Sequence, residues 1–100
     1  MVFRCRLDHD RTMEFVSEGC RDITGYDPVD LVQNQILSYR QLIYSKDREM
    51  VREEIDRALR ERRHYQISYR IQTRAGEEKW VWEQGDGIFA PGAEAAAVEG

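Results

Sequence analysis

The stretch FVSEGCRDITGYDP, residues 15–28, passes from a strand pattern to a short helix without a flexible spacer. Ser17 is suited to cap this helix, and Gly25 is suited to end it in the left-handed conformation. Cys20 and Ile23 are three residues apart and therefore share one side of the helical turn. The stretch is either an active-site turn that presents the Cys20 thiol or a structural joint, and its surroundings distinguish the two.

A catalytic role for this cysteine finds little support in the sequence. A nucleophilic thiol needs a base within hydrogen-bond reach, usually a histidine. The sequence has two histidines, His9 in a predicted hairpin turn and His64 at a predicted helix end. Free cysteine is among the residue types most often buried, and Cys20 shares its side of the turn with Ile23. We therefore predict an inert core thiol and no catalytic set.

Length and charge limit the classes of partner. The 100 residues are 41% hydrophobic and 34% charged, and 15 basic against 19 acidic residues give a net charge of −4. Such a chain has no overall attraction for nucleic acid or anionic membranes. No apolar run reaches the roughly 20 residues of a membrane span. We expect one cytoplasmic domain with two reduced thiols, without nucleic-acid partners or direct membrane contact.

Two short strands are predicted at the start of the chain, and the second one overlaps the opening stretch. Residues 2–8 and 12–16 both alternate between apolar and polar side chains, and a short turn joins them into a hairpin. The side chains predicted to point inward are Phe3, Cys5, Leu7, Met13 and Phe15.

One long amphipathic helix is predicted over residues 45–62. Ser45 or Asp47 is placed to cap its start. Acidic and basic residues alternate around an apolar stripe at helical spacing. The stripe consists of Val51, Ile55, Ala58 and Leu59.

Two further strands are predicted over residues 64–73 and 78–89, joined by a turn that contains Gly76. Residues 90–92, Ala-Pro-Gly, are predicted to break the second strand. Consecutive hairpins around a helical segment predict an α+β domain whose antiparallel sheet has its helices on one face. The inward residues are predicted to be Tyr65, Ile67, Tyr69, Ile71, Trp80 and Trp82, but a shift of one residue would replace both tryptophans by Val81.

The order of elements and four short stretches together resemble a PAS domain, of the type found beside bacterial histidine kinases and diguanylate cyclases. The strongest is ITGY (residues 23–26), followed by an aspartate-proline turn. The others are IYSKDR (residues 43–48) where the long helix starts, the strand pair with Gly76 at its turn, and WVWEQG (residues 80–85). The resemblance covers about residues 2–100.

The resemblance implies a five-stranded antiparallel sheet in the order 2-1-5-4-3, with several short helices and one long helix closing a cavity on one face. The opening stretch then becomes a scaffold turn beside that cavity. In such domains the fifth strand continues beyond the segment that Val98-Glu99-Gly100 resembles. We therefore expect residues 1–100 to be a single domain with a truncated last strand, cut from a longer multidomain signalling protein.

A PAS domain of this type is expected to be a sensory module and not an enzyme, although its parent protein can be a histidine kinase or diguanylate cyclase of a bacterial signal-transduction system. It would bind a small molecule, or respond to a change of state, and relay the signal to an attached output domain. The alternative is a ligand-free element for dimerisation and relay, and in both cases a homodimer is expected. The candidate cavity-lining residues are Phe15, Tyr26, Leu42, Val51, Ile55, Ile67, Tyr69 and Trp80.

The resemblance does not name a cofactor. Light-sensing relatives carry a flavin-reactive cysteine in the region that here is NQILSY (residues 34–39), which has none. Haem-binding relatives use a histidine on or near the long helix, whereas His64 follows that helix's apolar stripe. We therefore expect neither a flavin photoadduct nor haem. A metal site at Asp8-His9-Asp10 is not expected either, because three adjacent side chains in a tight turn cannot all face one ion.

Overall fold

Strands at both ends of the chain enclose a central helical segment. The computed structural model describes residues 1–89 and 95–100, so the strand break predicted at residues 90–92 lies outside the described residues. The strands are β1 (Phe3–Arg6), β2 (Met13–Val16), β3 (Tyr65–Gln72), β4 (Glu78–Phe89) and β5 (Ala95–Glu99). The helices are α1 (Cys20–Thr24), α2 (Pro28–Leu31), α3 (Tyr39–Leu42) and α4 (Arg48–Arg60).

The strands form one five-stranded antiparallel sheet in the order β2-β1-β5-β4-β3. This confirms the α+β class and the strand order that the resemblance implied. The first and last parts of the chain meet inside the sheet, because β5 pairs with both β1 and β4. Within the described residues, no helix is long and apolar enough to cross a membrane.

The long helix packs its apolar stripe into the core as predicted. Each large apolar side chain that leaves water there stabilises the fold by about 1.5–3 kcal/mol. Asp47 precedes the helix, but it makes no side-chain cap. Its carboxylate instead accepts hydrogen bonds from the backbone and guanidinium of Arg70, so it ties the start of α4 to β3. The buried stripe is Val51, Ile55, Ala58 and Leu59.

The opening stretch is a structural joint. Gly25 ends α1 with a φ of 78°, the left-handed conformation that glycine adopts without a Cβ clash. Ser17 does not cap α1: its hydroxyl accepts the N–H of Val2, and Gly19 takes the cap position. Cys20 begins α1 and is fully buried. The joint thereby fixes the first residues of the chain against the first helix.

The inward position predicted for Phe15 is wrong. Arg4 pairs with Phe15 but Cys5 pairs with Met13, so β2 holds one extra residue at this point of the ladder. Such a bulge interrupts the alternation of faces. Met13 and Val16 therefore point into the core, while Phe15 lies beside Arg4 and is 53% exposed.

The inward positions predicted for Trp80 and Trp82 are also wrong. Directly paired residues on antiparallel strands share a face, and Trp80 pairs with Arg70 while Trp82 pairs with Ser68. Because the apolar residues of β3 face inward, both tryptophans face outward, with 66% and 58% of their surfaces exposed. The shift of one residue considered above is the arrangement observed. Leu7, also predicted inward, lies beyond the end of β1 and is exposed.

Candidate functional site

A buried carboxylate lies on the inner face of the sheet. Glu83 of β4 is 7% exposed and forms two hydrogen bonds with the Arg11 guanidinium, at 2.9 and 3.2 Å. Tyr65 and Tyr69 of β3 donate their hydroxyl protons to the same carboxylate, the latter at 2.6 Å. The Tyr39 hydroxyl lies 2.7 Å from that of Tyr69. We call these five residues the Glu83 network.

The pKa shifts in this network follow from burial and the ion pair. Burial alone would raise the pKa of Glu83, but the Arg11 charge and the hydrogen bonds from Arg11 and the tyrosines hold it below its ordinary value. Burial and the Glu83 charge raise the pKa of Tyr39 to about 12, and the pKa values of Tyr65 and Tyr69 are raised as well. At neutral pH the network therefore contains one ion pair and three neutral tyrosines.

The turn between β1 and β2 places the guanidinium. Arg11 adopts a φ of 55°, which is uncommon for a residue with a side chain. Its backbone N–H donates to the Asp8 carbonyl at 3.2 Å, and the Asp8 carboxylate accepts the Thr12 N–H at 2.8 Å. The guanidinium lies 5.1 Å from the Tyr39 ring centre and 5.7 Å from that of Phe3. The turn thus aims one cation into the interior, where aromatic faces stabilise it.

A cavity of about 70 Å³ adjoins the network. It lies between α4, α3, the end of β1 and the turn that carries Arg11, so Arg11 lines the cavity and also pairs with Glu83. We call it the arginine pocket. Its apolar lining is Cys5, Ile43, Val51, Ile55 and Val98, and its polar lining includes Arg6, Asp8, Arg40, Arg48, Arg52 and Asp56.

A second pocket, of about 350 Å³ and open to solvent, reaches the network at its tyrosines. Tyr39, Tyr69 and Glu83 contribute to its wall, together with Trp82 and residues near both chain ends. The network therefore borders two spaces, with Arg11 at the first and Glu83 at the second.

The structure gathers most of the predicted cavity residues in the core. Val51 and Ile55 line the arginine pocket, and Tyr69 lines the second pocket. Phe15 and Trp80, on the outer sheet face, lie outside both. That the remaining residues form a ligand cavity is still a prediction. Those buried or packed against the core are Tyr26, Leu42, Val51, Ile55, Ile67 and Tyr69.

Glu83 and Arg11 were not predicted as site residues. Glu83 follows Val81 by two positions, so the strand alternation that puts Val81 inside also puts an acid inside. An acid buried in this way needs a cationic partner, so the strand alternation alone indicated that such a partner must exist. It offered no sign that Arg11, 72 residues earlier in the chain, would be the partner.

The buried thiol at Cys20 is placed for structure. Its S–H donates to the Tyr26 carbonyl with 3.3 Å between sulfur and oxygen. Burial raises the pKa of the thiol, which disfavours the nucleophilic thiolate. In the part of the chain that the structure describes, no group of three or more His, Cys, Asp or Glu side chains is arranged to hold a metal ion.

A sequence profile of the PAS fold matches residues 13–100. The chain belongs to the PAS family. This PAS domain is a sensory module of the type found in signalling proteins, and it is not itself catalytic. No curated protein matches it in sequence.

Solved structures share its fold at low sequence identity. The N-terminal domain of a diguanylate cyclase with PAS/PAC sensor from Marinobacter aquaeolei has a TM-score of 0.78 and 13% identity, covering 99% of this chain and 88% of that one. A sensory box histidine kinase/response regulator from Burkholderia thailandensis has a TM-score of 0.74 and 21% identity, covering 98% and 70%. Drosophila melanogaster Cycle PAS-B, with bound ethylene glycol, has a TM-score of 0.81 and 11% identity, covering 98% and 92%.

Proposed function

We propose that this PAS domain senses a small molecule, or a change of state, in its interior and relays the signal to an attached output domain. The observation that supports the proposal is the double contact of Arg11. Arg11 lines the arginine pocket, and its guanidinium forms the buried ion pair with Glu83 on β4, an inner strand of the sheet. An event in the pocket is therefore one side chain away from the sheet.

The physical basis of the relay is the cost of an unpaired buried charge. Removing one partner of such a pair costs about 3–5 kcal/mol, which is comparable to the stability of a small domain. A ligand that draws Arg11 toward the pocket weakens its hold on Glu83, and the packing of β3 and β4 has to adjust. A ligand that binds the adjusted arrangement more tightly shifts the population toward it.

Native mass spectrometry tests the sensing function, by comparison with the mass of the denatured chain. Extra mass that is lost on denaturation supports a retained ligand. Hydrogen exchange with and without that ligand then tests the relay, and we expect changed protection in β4. A chain that retains nothing, together with unchanged exchange on exposure to a metabolite extract, would count against sensing.

A ligand-free dimerisation and relay element is the second candidate. It is favoured by the outer sheet face, where Phe15, Trp80 and Trp82 are each more than half exposed. It is also favoured by the arginine pocket, which is well below the 300–1,000 Å³ of common ligand pockets, whereas the second pocket lies at the lower end of that range but is open to solvent. Sedimentation equilibrium of the wild type and of Trp82→Ser tests it. A ligand-free dimer that Trp82→Ser dissociates supports this function, and a wild-type monomer contradicts it.

The same proposal includes the protein context of the domain and its location in the cell. The similarity to domains of a diguanylate cyclase and of a histidine kinase supports a sensor within a longer, multidomain signalling protein. A cytoplasmic location is supported by Cys5 and Cys20, which are free and buried, as expected in a reducing compartment. Fusion of the domain to its native output domain, with the output activity measured, would test this arrangement directly.

A further inference from the structure

The arginine pocket has a local positive charge on a chain whose net charge is −4. Arg11 is neutralised by Glu83 and Arg6 faces Glu14 at 4.0 Å, but the lining still holds four arginines other than Arg11 against two aspartates. The lining therefore carries an excess of positive charge. These side chains are Arg6, Arg40, Arg48, Arg52, Asp8 and Asp56.

Within the described residues, two of these arginines have no carboxylate partner. Arg48 is held by backbone carbonyls: its Nε donates to those of Arg40 and Ile43, both at 3.0 Å. These bonds position the guanidinium without neutralising it. The Arg40 side chain is half-buried, and among residues 1–89 and 95–100 no carboxylate lies within ion-pair distance of it. A positioned cation and an unpaired one therefore lie at the same cavity.

The acids at the pocket do not fill this gap. The Asp8 carboxylate accepts both the N–H and the hydroxyl of Thr12, and within the described residues no arginine lies at ion-pair distance from it. Asp56 faces Arg52 at 3.9 Å, near the limit for an ion pair, and both side chains are more than half exposed. Exposed pairs of this kind contribute about 0–1 kcal/mol, so Arg52 remains available to another anion.

We propose that the arginine pocket binds a small oxyanion, a carboxylate or phosphate group on a short body. Guanidinium side chains bind carboxylates and phosphates through paired charge-assisted hydrogen bonds. The cavity of about 70 Å³ limits the body to a few heavy atoms, and Val51 and Ile55 give it an apolar floor. This inference rests on the proposed sensing function and specifies its ligand class. The bound oxyanion competes with Glu83 for Arg11, which connects occupancy to the ion pair.

Isothermal titration calorimetry tests the proposal with inorganic phosphate, acetate and succinate as separate probes at low ionic strength. We expect at least one probe to bind the wild-type chain and to lose about tenfold in affinity in Arg40→Gln, because one charge-assisted hydrogen bond is removed. Arg52→Gln provides a second test, since its exposed side chain can change without loss of packing. Arg60→Gln is the matched control: it removes the same charge from the exposed surface of the same helix.

The outcomes separate this inference from the sensing function. Phosphate binding without carboxylate binding assigns the phosphate class, and the reverse assigns the carboxylate class. Equal weakening in Arg40→Gln and Arg60→Gln overturns the site, because it reports only net charge. A neutral molecule found by native mass spectrometry overturns the oxyanion while sensing stands. No binding of any of the three probes overturns the oxyanion site, and the sensing function is then tested separately by hydrogen exchange with the metabolite extract.

Discussion

The two faces of the β3–β4 ribbon contrast in an unexpected way. The inner face carries Glu83, a charged residue that is 7% exposed, between two tyrosines that donate to it. The outer face of the same ribbon carries Trp80 and Trp82, which are 66% and 58% exposed. The acid is inside and the largest apolar side chains are outside.

The contrast shows that polar contacts can determine which face of a strand is buried, when the polar atoms of the buried residue all have hydrogen-bond partners. Glu83 enters the core because a guanidinium and two hydroxyls satisfy its oxygens. Trp80 stays outside because its partner across the ladder is Arg70, whose guanidinium lies 5.4 Å from its ring centre. The burial or exposure of each face is therefore explained by the residues that contact it, and not by the polarity of its own side chains.

Glu83→Gln is the sharpest way to break this contrast. The amide has no charge to offer Arg11, so a buried guanidinium is left uncompensated. We expect the free energy of unfolding to fall by about 3–5 kcal/mol. Urea denaturation followed by circular dichroism measures it. Glu77→Gln, in the exposed β3–β4 turn, is the control and should change stability by no more than about 0.5 kcal/mol. A loss below about 1 kcal/mol in Glu83→Gln would contradict a desolvated pair.

Tyr69→Phe should have a smaller effect on the same face. It removes the hydroxyl between Tyr39 and Glu83, which leaves one buried hydroxyl and one carboxylate oxygen each short of a partner. We expect a loss of about 1–3 kcal/mol in the free energy of unfolding. Tyr44→Phe is the control, because the structure shows no hydrogen bond to the Tyr44 hydroxyl within the described residues and the ring stays over Arg70. Equal losses in both variants would argue against the network.

Lowering the pH should gradually reduce the stability that Glu83 contributes to the fold. The folded pKa of Glu83 lies below the ordinary 4.5, since the Arg11 charge and the hydrogen bonds outweigh the effect of burial. Its contribution is therefore complete above pH 4.5 and is lost as the pH falls through the folded pKa. Glu83→Gln lacks this titration, so the stability gap between wild type and variant should narrow from pH 5 to pH 3. A constant gap in urea denaturation over that range would contradict the assignment.

Local pattern was sufficient to predict most of the elements. The stripe that includes Val51 and Ile55 specifies α4, and the alternation that includes Ile67 and Tyr69 specifies β3, because both depend only on neighbours in the sequence. The resemblance supplied the strand order. Gly25 specified the end of α1 through its left-handed conformation.

For β2 and β4, local pattern could not predict which side chains point into the core. In β2 one extra residue reverses Phe15, and no composition signal marks a bulge. In β4 the run Trp80-Val81-Trp82 is apolar on both faces, so alternation does not distinguish them. The choice depends on Arg70 across the ladder and on Arg11, which comes from the far end of the chain.

Trp80→Ala should therefore have the smallest effect, and it tests the outer half of the contrast. A tryptophan in the core would cost about 3–5 kcal/mol when truncated. At 66% exposure Trp80 contributes little beyond its stacking with Arg70, so we expect a loss of no more than about 1 kcal/mol in urea denaturation. A cost near the core value would mean that the ribbon presents its other face to the interior, and Glu83 would then be exposed.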